Sequence, residues 1–356
     1  MPYFEVECKG GVQLVRAVVK LEPGPGAELT EVAVPRPGPG QILVKVLATS
    51  ICGSDLHIYT WNRWAQERIK PPLVLGHECS GRVVELGPGV NMVSVGDLVS
   101  AETHVVCGKC YQCRTGNAHI CIDTAILGVD RDGSFADYVV IPQENAWVNP
   151  PALPPAVASI QEPFGNAVHT VLAGPVAGCS LAVLGCGPIG LASVAIAKAC
   201  GAARIYATDI NPYRLELARA MGADATLQVG QVDAVKGILE ETSGHGVDAV
   251  LEMSGSTQAV QDALKLVRRG GRVSLLGIPS RPVELDLAED LVMKGVTFQG
   301  IAGRRMYETW YQTRGLLGSG RVNLGPLITH ELPLGDFARG MELMASGQCG
   351  KVVLYP

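Results

Sequence analysis

Aromatic and charged side chains are both scarce in this sequence of 356 residues. Phe, Trp and Tyr make up 5% of it and Asp, Glu, Lys and Arg 18%, whereas hydrophobic residues reach 47%. A chain with so few charges and so much apolar surface can bury large cores, which excludes general disorder. Its length exceeds that of one typical core and predicts about two domains.

An excess of basic residues is also missing. The 29 Lys and Arg residues stand against 34 Asp and Glu residues, for a formal net charge of −5. Proteins that bind nucleic acid normally carry a basic surface, so we expect no nucleic-acid partner. Met1–Gly10 mixes Glu5, Glu7 and Lys9 with few apolar residues and does not resemble a secretory signal. We therefore expect a cytoplasmic protein.

One stretch, Pro163–Ala197, lacks charged residues altogether and by its length resembles a membrane span. It contains six glycines and three prolines, however. A buried strand, turn and helix of a parallel sheet are equally apolar and contain glycine and proline at their turns. We therefore expect no membrane partner.

The pattern of apolar residues changes near residue 150. Before it, runs such as Gln41–Ala48, Gly81–Leu86 and Ala136–Ile141 alternate between turn signals and predict an all-β region. After it, predicted strands alternate with predicted helices, which indicates a parallel sheet with crossover helices. These elements are Leu181–Leu184, Pro188–Cys200, Arg204–Thr208, Asn211–Met221, Asp248–Glu252, Gln258–Arg268 and Arg272–Leu276, followed by Met306–Leu317, Asp336–Ala345 and Val352–Tyr355.

A glycine pattern follows the first strand of the alternating region. Gly185, Gly187 and Gly190 fit G-x-G-x-x-G, and Asp209 ends the next strand. Such glycines let backbone amides approach a pyrophosphate at a helix N-terminus, and the acidic residue would bind ribose hydroxyls and repel a 2′-phosphate. The pattern favours NAD, although Arg214 could meet an adenine or a phosphate. The alternative is a glycine-rich turn without a ligand.

The eleven cysteines, an odd number, include four at short spacing. In a chain without a secretion signal this favours metal ligands and buried thiols over disulfides. Cys107, Cys110, Cys113 and Cys121 can close a tetrahedron around one Zn²⁺ and leave no position for a substrate, so such a site is structural. An iron–sulfur cluster or four free thiols are the alternatives.

A second set of candidate ligands is more dispersed. Cys52, the pair His77 and Glu78, and Glu162 together supply a thiolate, an imidazole and carboxylates. Such a set suits a second, open Zn²⁺ site. Taken singly, each of these residues is as easily a packing or turn residue.

The chain resembles the zinc-containing medium-chain alcohol dehydrogenases nearly from end to end. The order of Cys52, the GHE element, the four-cysteine lobe and the glycine pattern carries the resemblance. Within that family it is most similar to the branch that oxidises L-threonine. The stretches that support this are Ile51–Tyr59, Trp61, Trp64, Glu162–Thr170, Gly303–Tyr311 and Ser346–Lys351.

The resemblance implies roles for single residues. Cys52 and His77 are expected to bind a catalytic zinc, with Glu78 or Glu162 completing the ligand set. Glu162 either binds the metal or acts beside it and exchanges with water. Residues that match other family positions are Ser54 and His57 (proton relay), Ile189, Asp209 and Arg214 (cofactor), and Leu276, Gly277, Ile278, Ile301 and Ala302 (beside the nicotinamide).

The same resemblance implies an α/β fold and an activity. A β-rich GroES-like catalytic domain with a structural zinc lobe (residues 1–163 and 304–356) is expected around a doubly wound parallel-sheet Rossmann domain that binds NAD (residues 164–303). The implied enzyme is a homotetramer with NAD and two Zn²⁺ per chain. Its small-molecule substrate is L-threonine, oxidised at the 3-hydroxyl to 2-amino-3-oxobutanoate.

In the implied mechanism, an alkoxide forms on the zinc and its proton leaves through Ser54, a cofactor ribose hydroxyl and His57. Hydride then passes to NAD. The alternative within the family is a polyol or vicinal-diol dehydrogenase of the sorbitol or 2,3-butanediol type. A zinc-lobe nucleic-acid binder is weaker, because the chain lacks a basic face. A non-catalytic relative is weaker too, because its catalytic metal set would be degraded, whereas Cys52, His77 and Glu162 are all present.

Two departures from the family pattern stand out. About ten residues at the N-terminus are extra, and Ser54 replaces a threonine common in this branch. Ser and Thr both carry a hydroxyl, so the relay chemistry is retained. His104 precedes the four-cysteine lobe and either contacts substrate or lies in a capped turn.

Overall fold

The computed structural model of the chain describes residues 13–356. The expectations for the N-terminus, that Met1–Gly10 is no secretory signal and that about ten residues are extra, lie outside these residues. The first part of the described chain contains mostly strands, with short helices between them. Its elements are β1 (Leu14–Lys20), β2 (Glu28–Ala33), β3 (Gln41–Ser50), α1 (Gly53–Thr60), α2 (Arg63–Arg68), β4 (Leu73–Val74), β5 (Glu78–Leu86), β6 (Leu98–Ala101), β7 (His104–Val105), α3 (Tyr111–Arg114), β8 (Ala125–Ile126), β9 (Tyr138–Pro142), β10 (Ala146–Val148), α4 (Pro155–Ser159) and α5 (Gln161–Val171).

The second part alternates strictly between strand and helix. Its elements are β11 (Ser180–Leu184), α6 (Pro188–Ala199), β12 (Arg204–Asp209), α7 (Pro212–Ala220), β13 (Ala225–Gln228), α8 (Ala234–Glu241), β14 (Val247–Glu252), α9 (Thr257–Leu266), β15 (Val267–Leu275) and β16 (Thr297–Gly300). The strands form one parallel sheet in the order β13-β12-β11-β14-β15-β16. Strand order reverses between β11 and β14, the place where such sheets bind dinucleotides.

The chain then returns to the first part. The remaining elements are α10 (Glu308–Gly318), β17 (Ile328–Pro333), α11 (Phe337–Ser346) and β18 (Lys351–Tyr355). Single turns of 3₁₀ helix lie at Ala118–Ile120, Gln143–Asn145, Gly325–Leu327 and Leu334–Asp336, and Leu287–Val292 is π-helical. β18 pairs antiparallel with β3, where Val353 faces Ser50. The larger mixed sheet, β10-β6-β5-β3-β18-β17 with β9 also on β3, is therefore built from both ends of the described chain.

The hydrophobic core continues across the two parts. One cluster of buried residues joins Ala48 and Val353 of the mixed sheet with Phe164 of α5 and Val183 of β11. Apolar side chains on both faces of β11 are fully buried, as expected for the central strand of a covered parallel sheet. The two parts thus share buried surface, and the face between them is where a site can be enclosed.

The predicted α/β fold class is confirmed, and the strands and helices that were predicted in the second part lie within about two residues of their bounds, except that β15 begins five residues earlier. The elements β13, α8 and β16 were not predicted. The prediction that the first 150 residues are all β is wrong, because α1, α2 and α3 lie there. These helices have only four to eight residues, too few to show a helical period in sequence. Residues 163–197 are divided among α5, β11 and α6, and within residues 13–356 no helix is long and apolar enough to cross a membrane.

Candidate active site

Three potential metal ligands converge at the start of α1 and β5. Cys52 precedes the first turn of α1, His77 lies in the connection from β4, and Glu78 is the first residue of β5. Their ligand atoms lie within 4.8 Å of one another. The backbone N–H of Cys52 donates to Asp55 Oδ2 at 2.8 Å, which fixes the turn that presents the thiol.

The His77 ring is oriented toward this cluster by a carboxylate behind it. Its Nε2 lies 3.4 Å from Ser54 Oγ, while Asp55 Oδ1 is 3.5 Å from Nδ1 on the other side. Burial alone would lower the pKa of His77, but the Asp55 carboxylate and the Cys52 thiol raise it above its usual value. The site therefore favours positive charge, and a carboxylate behind a histidine is the usual support of a metal-binding imidazole. The donor set fits Zn²⁺.

Glu78 takes part in a buried ion pair as well as in the cluster. Lys351 Nζ donates to Glu78 Oε1 at 2.6 Å and also bonds Oε2, which accepts a further hydrogen bond from Ser50 Oγ. Burial alone would lower the pKa of Lys351, but the Glu78 carboxylate raises it. Lys351, on the last strand, was not singled out from the sequence.

Glu162 lies near this cluster but outside the group of converging ligand atoms. Its charge is among those that raise the pKa of Lys351. Its Oε1 accepts a hydrogen bond from Arg304 Nη1, and its backbone carbonyl accepts another at 3.2 Å. Of the two predicted carboxylates, the one whose oxygen lies close to the ligand atoms of Cys52 and His77 is therefore Glu78 and not Glu162.

Arg304 connects Glu162 to a second buried carboxylate that sequence reasoning missed. Its Nε and Nη2 donate to the two oxygens of Glu102 at 2.6 and 2.5 Å. Glu102 also accepts from Trp310 Nε1 at 2.8 Å and from His104 Nδ1 at 3.0 Å. Arg304 and Glu102 hold each other ionised, because each shifts the other's pKa in that direction despite burial.

The predicted proton relay lies on α1. Ser54 and His57 are three residues apart and therefore on one face of this helix. Ser54 is partly buried beside His77, whereas His57 is exposed and its ring lies 6.4 Å from that of Trp64, edge to face. The relay residues thus extend from the metal cluster toward solvent.

The four cysteines of the lobe form the second converging group. The Sγ atoms of Cys107, Cys110, Cys113 and Cys121 lie within 4.8 Å of one another, with Cys107–Cys121 at 3.5 Å and Cys110–Cys121 at 3.8 Å. Disulfide sulfurs would be about 2.05 Å apart. Zn–S bonds of about 2.3 Å give tetrahedral edges of about 3.8 Å, which the separations match.

Backbone amides surround these thiols. Cys113 N–H and Cys107 N–H donate to the sulfurs of Cys110 and Cys121, at 3.5 and 3.4 Å. Amide donors from Cys113 and Ile122 lower the pKa of Cys110 to about 6. Thiolates are the form that binds metal, so the lobe fits a structural zinc.

The glycine pattern lines a cavity of about 380 Å³ at the carboxyl ends of β11 and β12. Gly185, Gly187, Asp209 and Arg214 are among its lining residues. A Cβ on Gly190 would lie 2.0 Å from the carbonyl oxygen of Gly185, so only glycine lets α6 begin this close to the turn. The Asp209 carboxylate accepts backbone N–H bonds from Cys186 and Asn211 at 2.7 and 2.8 Å, which fixes it at the rim. A dinucleotide cofactor fits this cradle.

The remaining predicted cofactor residues lie on nearby elements. Ile189 is in the first turn of α6, Leu276, Gly277 and Ile278 follow β15, and Ile301 and Ala302 follow β16. Ile301 is buried, whereas the Ile278 side chain is 89% exposed. Ala302 leads directly into Gly303, where an added Cβ would lie 3.4 Å from Cε1 of the His104 ring. His104, Arg304 and the segment after β16 therefore meet on the side of the cleft that carries Glu162.

Two family models match the chain. The model described as alcohol dehydrogenase GroES-like domain covers residues 38–151, and that described as zinc-binding dehydrogenase covers residues 188–318. Solved structures with the same fold include a zinc-binding dehydrogenase from Sinorhizobium meliloti bound to NADP (TM-score 0.90, 29% identity, covering 97% of this chain and 100% of that one). A second is an alcohol dehydrogenase from E. coli complexed with NADH (TM-score 0.89, 28% identity, 96% and 99%). A third is 2R,3R-butanediol dehydrogenase from Bacillus subtilis (TM-score 0.87, 28% identity, 96% and 99%).

The fold, the two ligand clusters and these matches define a zinc-dependent alcohol dehydrogenase. Curated relatives share more than half of the residues. The chain is 54% identical to the L-threonine 3-dehydrogenase of Caldanaerobacter subterraneus over 96% of its own length and 99% of the relative's. It is 53% identical to that of Bacillus licheniformis over 96% and 99%. The chain therefore belongs to the zinc-binding dehydrogenase family and, within it, groups with the L-threonine 3-dehydrogenases.

Proposed function

We propose that this enzyme oxidises L-threonine at its 3-hydroxyl to 2-amino-3-oxobutanoate with NAD⁺, releasing NADH and a proton. The observation that carries the proposal is the convergence of Cys52, His77 and Glu78 in a chain 54% identical to an L-threonine 3-dehydrogenase over nearly its full length. The solved 2,3-butanediol dehydrogenase is only 28% identical, so diol oxidation is the weaker candidate.

The residues of the chain divide the work between binding and proton movement. A bound Zn²⁺ supplies Lewis-acid chemistry at the Cys52 cluster, and NAD⁺ accepts the hydride. Asp55 lies behind the His77 ring, 3.5 Å from Nδ1, and Nε2 faces Ser54 on the other side. Ser54 Oγ accepts the hydroxyl proton beside His77 as it passes its own proton on, and His57, exposed on the same helix face, releases a proton to solvent.

One feature supports NAD rather than NADP. The Asp209 carboxylate is fixed at the rim of the cofactor cavity, where its charge opposes a 2′-phosphate. Arg214, which lines the same cavity, binds the adenosine side. The four-cysteine lobe and the Cys52 cluster together support two Zn²⁺ per chain.

The proposed assembly is a cytoplasmic homotetramer that acts on a small molecule. Aromatic side chains at the start of α10 are candidates for contact with a partner subunit. Trp310 is not one of them, because its ring is 1% exposed and stacks on Trp147 at 5.5 Å within the chain. Tyr307, just before the helix, and Tyr311 are both exposed and can meet a partner.

The test is NADH formation by purified, zinc-loaded enzyme offered L-threonine, D-threonine, L-serine, sorbitol and 2,3-butanediol. We expect turnover to favour L-threonine and to disappear in Cys52→Ser. The matched control is Cys200→Ser, since Cys200 is a half-buried thiol at the end of α6, outside both clusters. Turnover with diols alone would overturn the substrate assignment, and full activity of Cys52→Ser would overturn the assigned metal site.

A further inference from the structure

We propose that Glu102 is a positioning residue for the oxidation: its carboxylate fixes Arg304, and Arg304 in turn holds the Glu162 carboxylate beside the metal cluster. This proposal rests on the function proposed above. Glu102 touches neither Cys52 nor His77, so it acts through other residues and does not itself react.

The Arg304 guanidinium is shared unequally between the carboxylates of Glu102 and Glu162. Its planar guanidinium donates two parallel hydrogen bonds to Glu102, at 2.6 and 2.5 Å, but only Nη1 reaches the side chain of Glu162. A bidentate pair fixes the plane of the guanidinium, whereas a single bond does not. Glu102 therefore determines the orientation of Arg304, and Arg304 determines that of Glu162.

Glu102 is itself held rigidly. Trp310 Nε1 donates to Oε2 at 2.8 Å, and both the backbone N–H and Nδ1 of His104 lie 3.0 Å from Oε1. The Trp310 ring is stacked on Trp147, so this donor cannot rotate away. A carboxylate with donors on both oxygens, at 1% exposure, is a fixed anchor for the arginine.

The chain also provides the space in which Arg304 reaches Glu162. A Cβ on Gly165 would lie 2.8 Å from Arg304 Cδ, so glycine one turn after Glu162 opens the passage for the arginine stem. Among residues 13–356, Arg304 is the donor to the Glu162 carboxylate, through Oε1. The second oxygen, Oε2, accepts no hydrogen bond from the described residues and is available in the cleft. Glu162 is thus held by one oxygen and presents the other.

The test is a double-mutant cycle of Glu102→Gln and Glu162→Gln, with kcat as the readout. Supporting residues around metal sites typically contribute about 10- to 100-fold to activity, so we expect Glu102→Gln to lower kcat by about that factor. In the Glu162→Gln background the same change is expected to cost less than about three-fold, because residues that act through one another are not additive. An equal factor in both backgrounds, or no loss in Glu102→Gln, overturns the proposal.

The matched control is Glu308→Gln, a carboxylate-to-amide change on the neighbouring helix. Glu308 is half-exposed, pairs with Arg305 at 3.3 Å and accepts a hydrogen bond from Gln312 Nε2 at 3.5 Å. The change Glu308→Gln is expected to alter kcat by less than about two-fold. KM for NAD is expected to stay constant in Glu308→Gln, because Asp209 and the glycine cavity lie on the other sheet.

A second readout does not depend on turnover. With Co²⁺ in place of Zn²⁺, the visible absorption of the catalytic metal reports its ligand geometry. We expect Glu102→Gln to shift these bands and Glu308→Gln to leave them unchanged; unshifted bands in Glu102→Gln count against the proposal. If Glu102→Gln does not fold, Trp310→Phe replaces it, since this change removes one donor to Glu102 and no charge. Trp310→Phe is expected to lower kcat about five-fold when Glu162 is present, a factor that corresponds to the loss of one hydrogen bond. In the Glu162→Gln background no such loss is expected.

Failure of the proposed function and failure of this proposal are separable. If the wild-type enzyme oxidises a diol and not L-threonine, the cycle is measured with the diol. Glu162 lies near the metal cluster whichever alcohol is bound, so the coupling between Glu102 and Glu162 is expected to persist.

Discussion

The buried pair of Glu78 and Lys351 leads to the most quantitative prediction. Both side chains are at most 2% exposed, and the Lys351 ammonium contacts both carboxylate oxygens. Lys351→Met keeps the length of the side chain but leaves the Glu78 carboxylate with Ser50 as its remaining hydrogen-bond donor. Removing one partner of a buried ion pair typically costs about 3–5 kcal/mol, so we expect a loss of about 4 kcal/mol in the free energy of unfolding.

The measurement is urea unfolding of the metal-free protein at one fixed protein concentration. The control is Lys198→Met, because Lys198 pairs with Asp224 at 2.8 Å but is half-exposed. Breaking such a surface pair is expected to cost less than about 1 kcal/mol. The double variant Glu78→Gln/Lys351→Met is expected to recover most of the loss, because no uncompensated charge remains buried.

Zinc distinguishes this explanation from simple loss of packing. In Lys351→Met a bound cation replaces the missing ammonium charge beside Glu78, so added Zn²⁺ is expected to stabilise this variant more than the wild type. Equal destabilisation by Lys351→Met and Lys198→Met would refute the reasoning. So would a double variant as unstable as the single one.

Three further predictions concern other parts of the molecule. Cys110→Ser is expected to lose one Zn²⁺ per chain, measured by metal analysis, while NAD binding is retained; an unchanged zinc content would exclude the lobe as a metal site. Asp209→Asn is expected to lower the preference for NAD over NADP by about ten-fold or more, since about 1.4 kcal/mol of charge repulsion is removed. Fluorescence titration with both cofactors measures it, and an unchanged ratio would contradict the assignment. Burial lowers the pKa of His169 below its usual value. The neutral His169 ring therefore contributes to stability above about pH 6.5, and this contribution is lost as the pH falls toward the lowered pKa. His169→Gln, which can still donate to the Gly303 carbonyl, is expected to lose less unfolding free energy between pH 7 and 5 than the wild type; parallel losses would refute this.

The sequence predicts those features that depend on nearby residues. The four cysteines of the lobe are within fifteen positions of each other, and the glycine pattern lies between a strand and a helix that both show their own apolar period. Strand β3 and helix α6 were predicted to within two residues for the same reason. Local spacing and burial determine these elements almost alone.

The missed residues have partners far away in the sequence. Lys351 meets Glu78 across 273 positions, Arg304 meets Glu102 across 202, and Arg304 meets Glu162 across 142. Nothing in the local pattern pairs these charges, because the fold of both chain ends onto one sheet brings them together. Glu162 was a candidate ligand already from its residue type, but neither the residues nor the resemblance assigned a role to the arginine that holds it.

The antiparallel pairing of β18 with β3 has a consequence for synthesis of the protein. Ser50 and Val353 are 303 positions apart, so the sheet that carries the Cys52 turn lacks a strand until almost the whole chain has been made. At about 5–20 residues per second, this interval is roughly 15–60 s on the ribosome. The parallel sheet between residues 180 and 300 is complete earlier and can fold first. During that interval the end of β3 at Thr49 and Ser50, which β18 later covers, is an unpaired strand edge that can contact other chains.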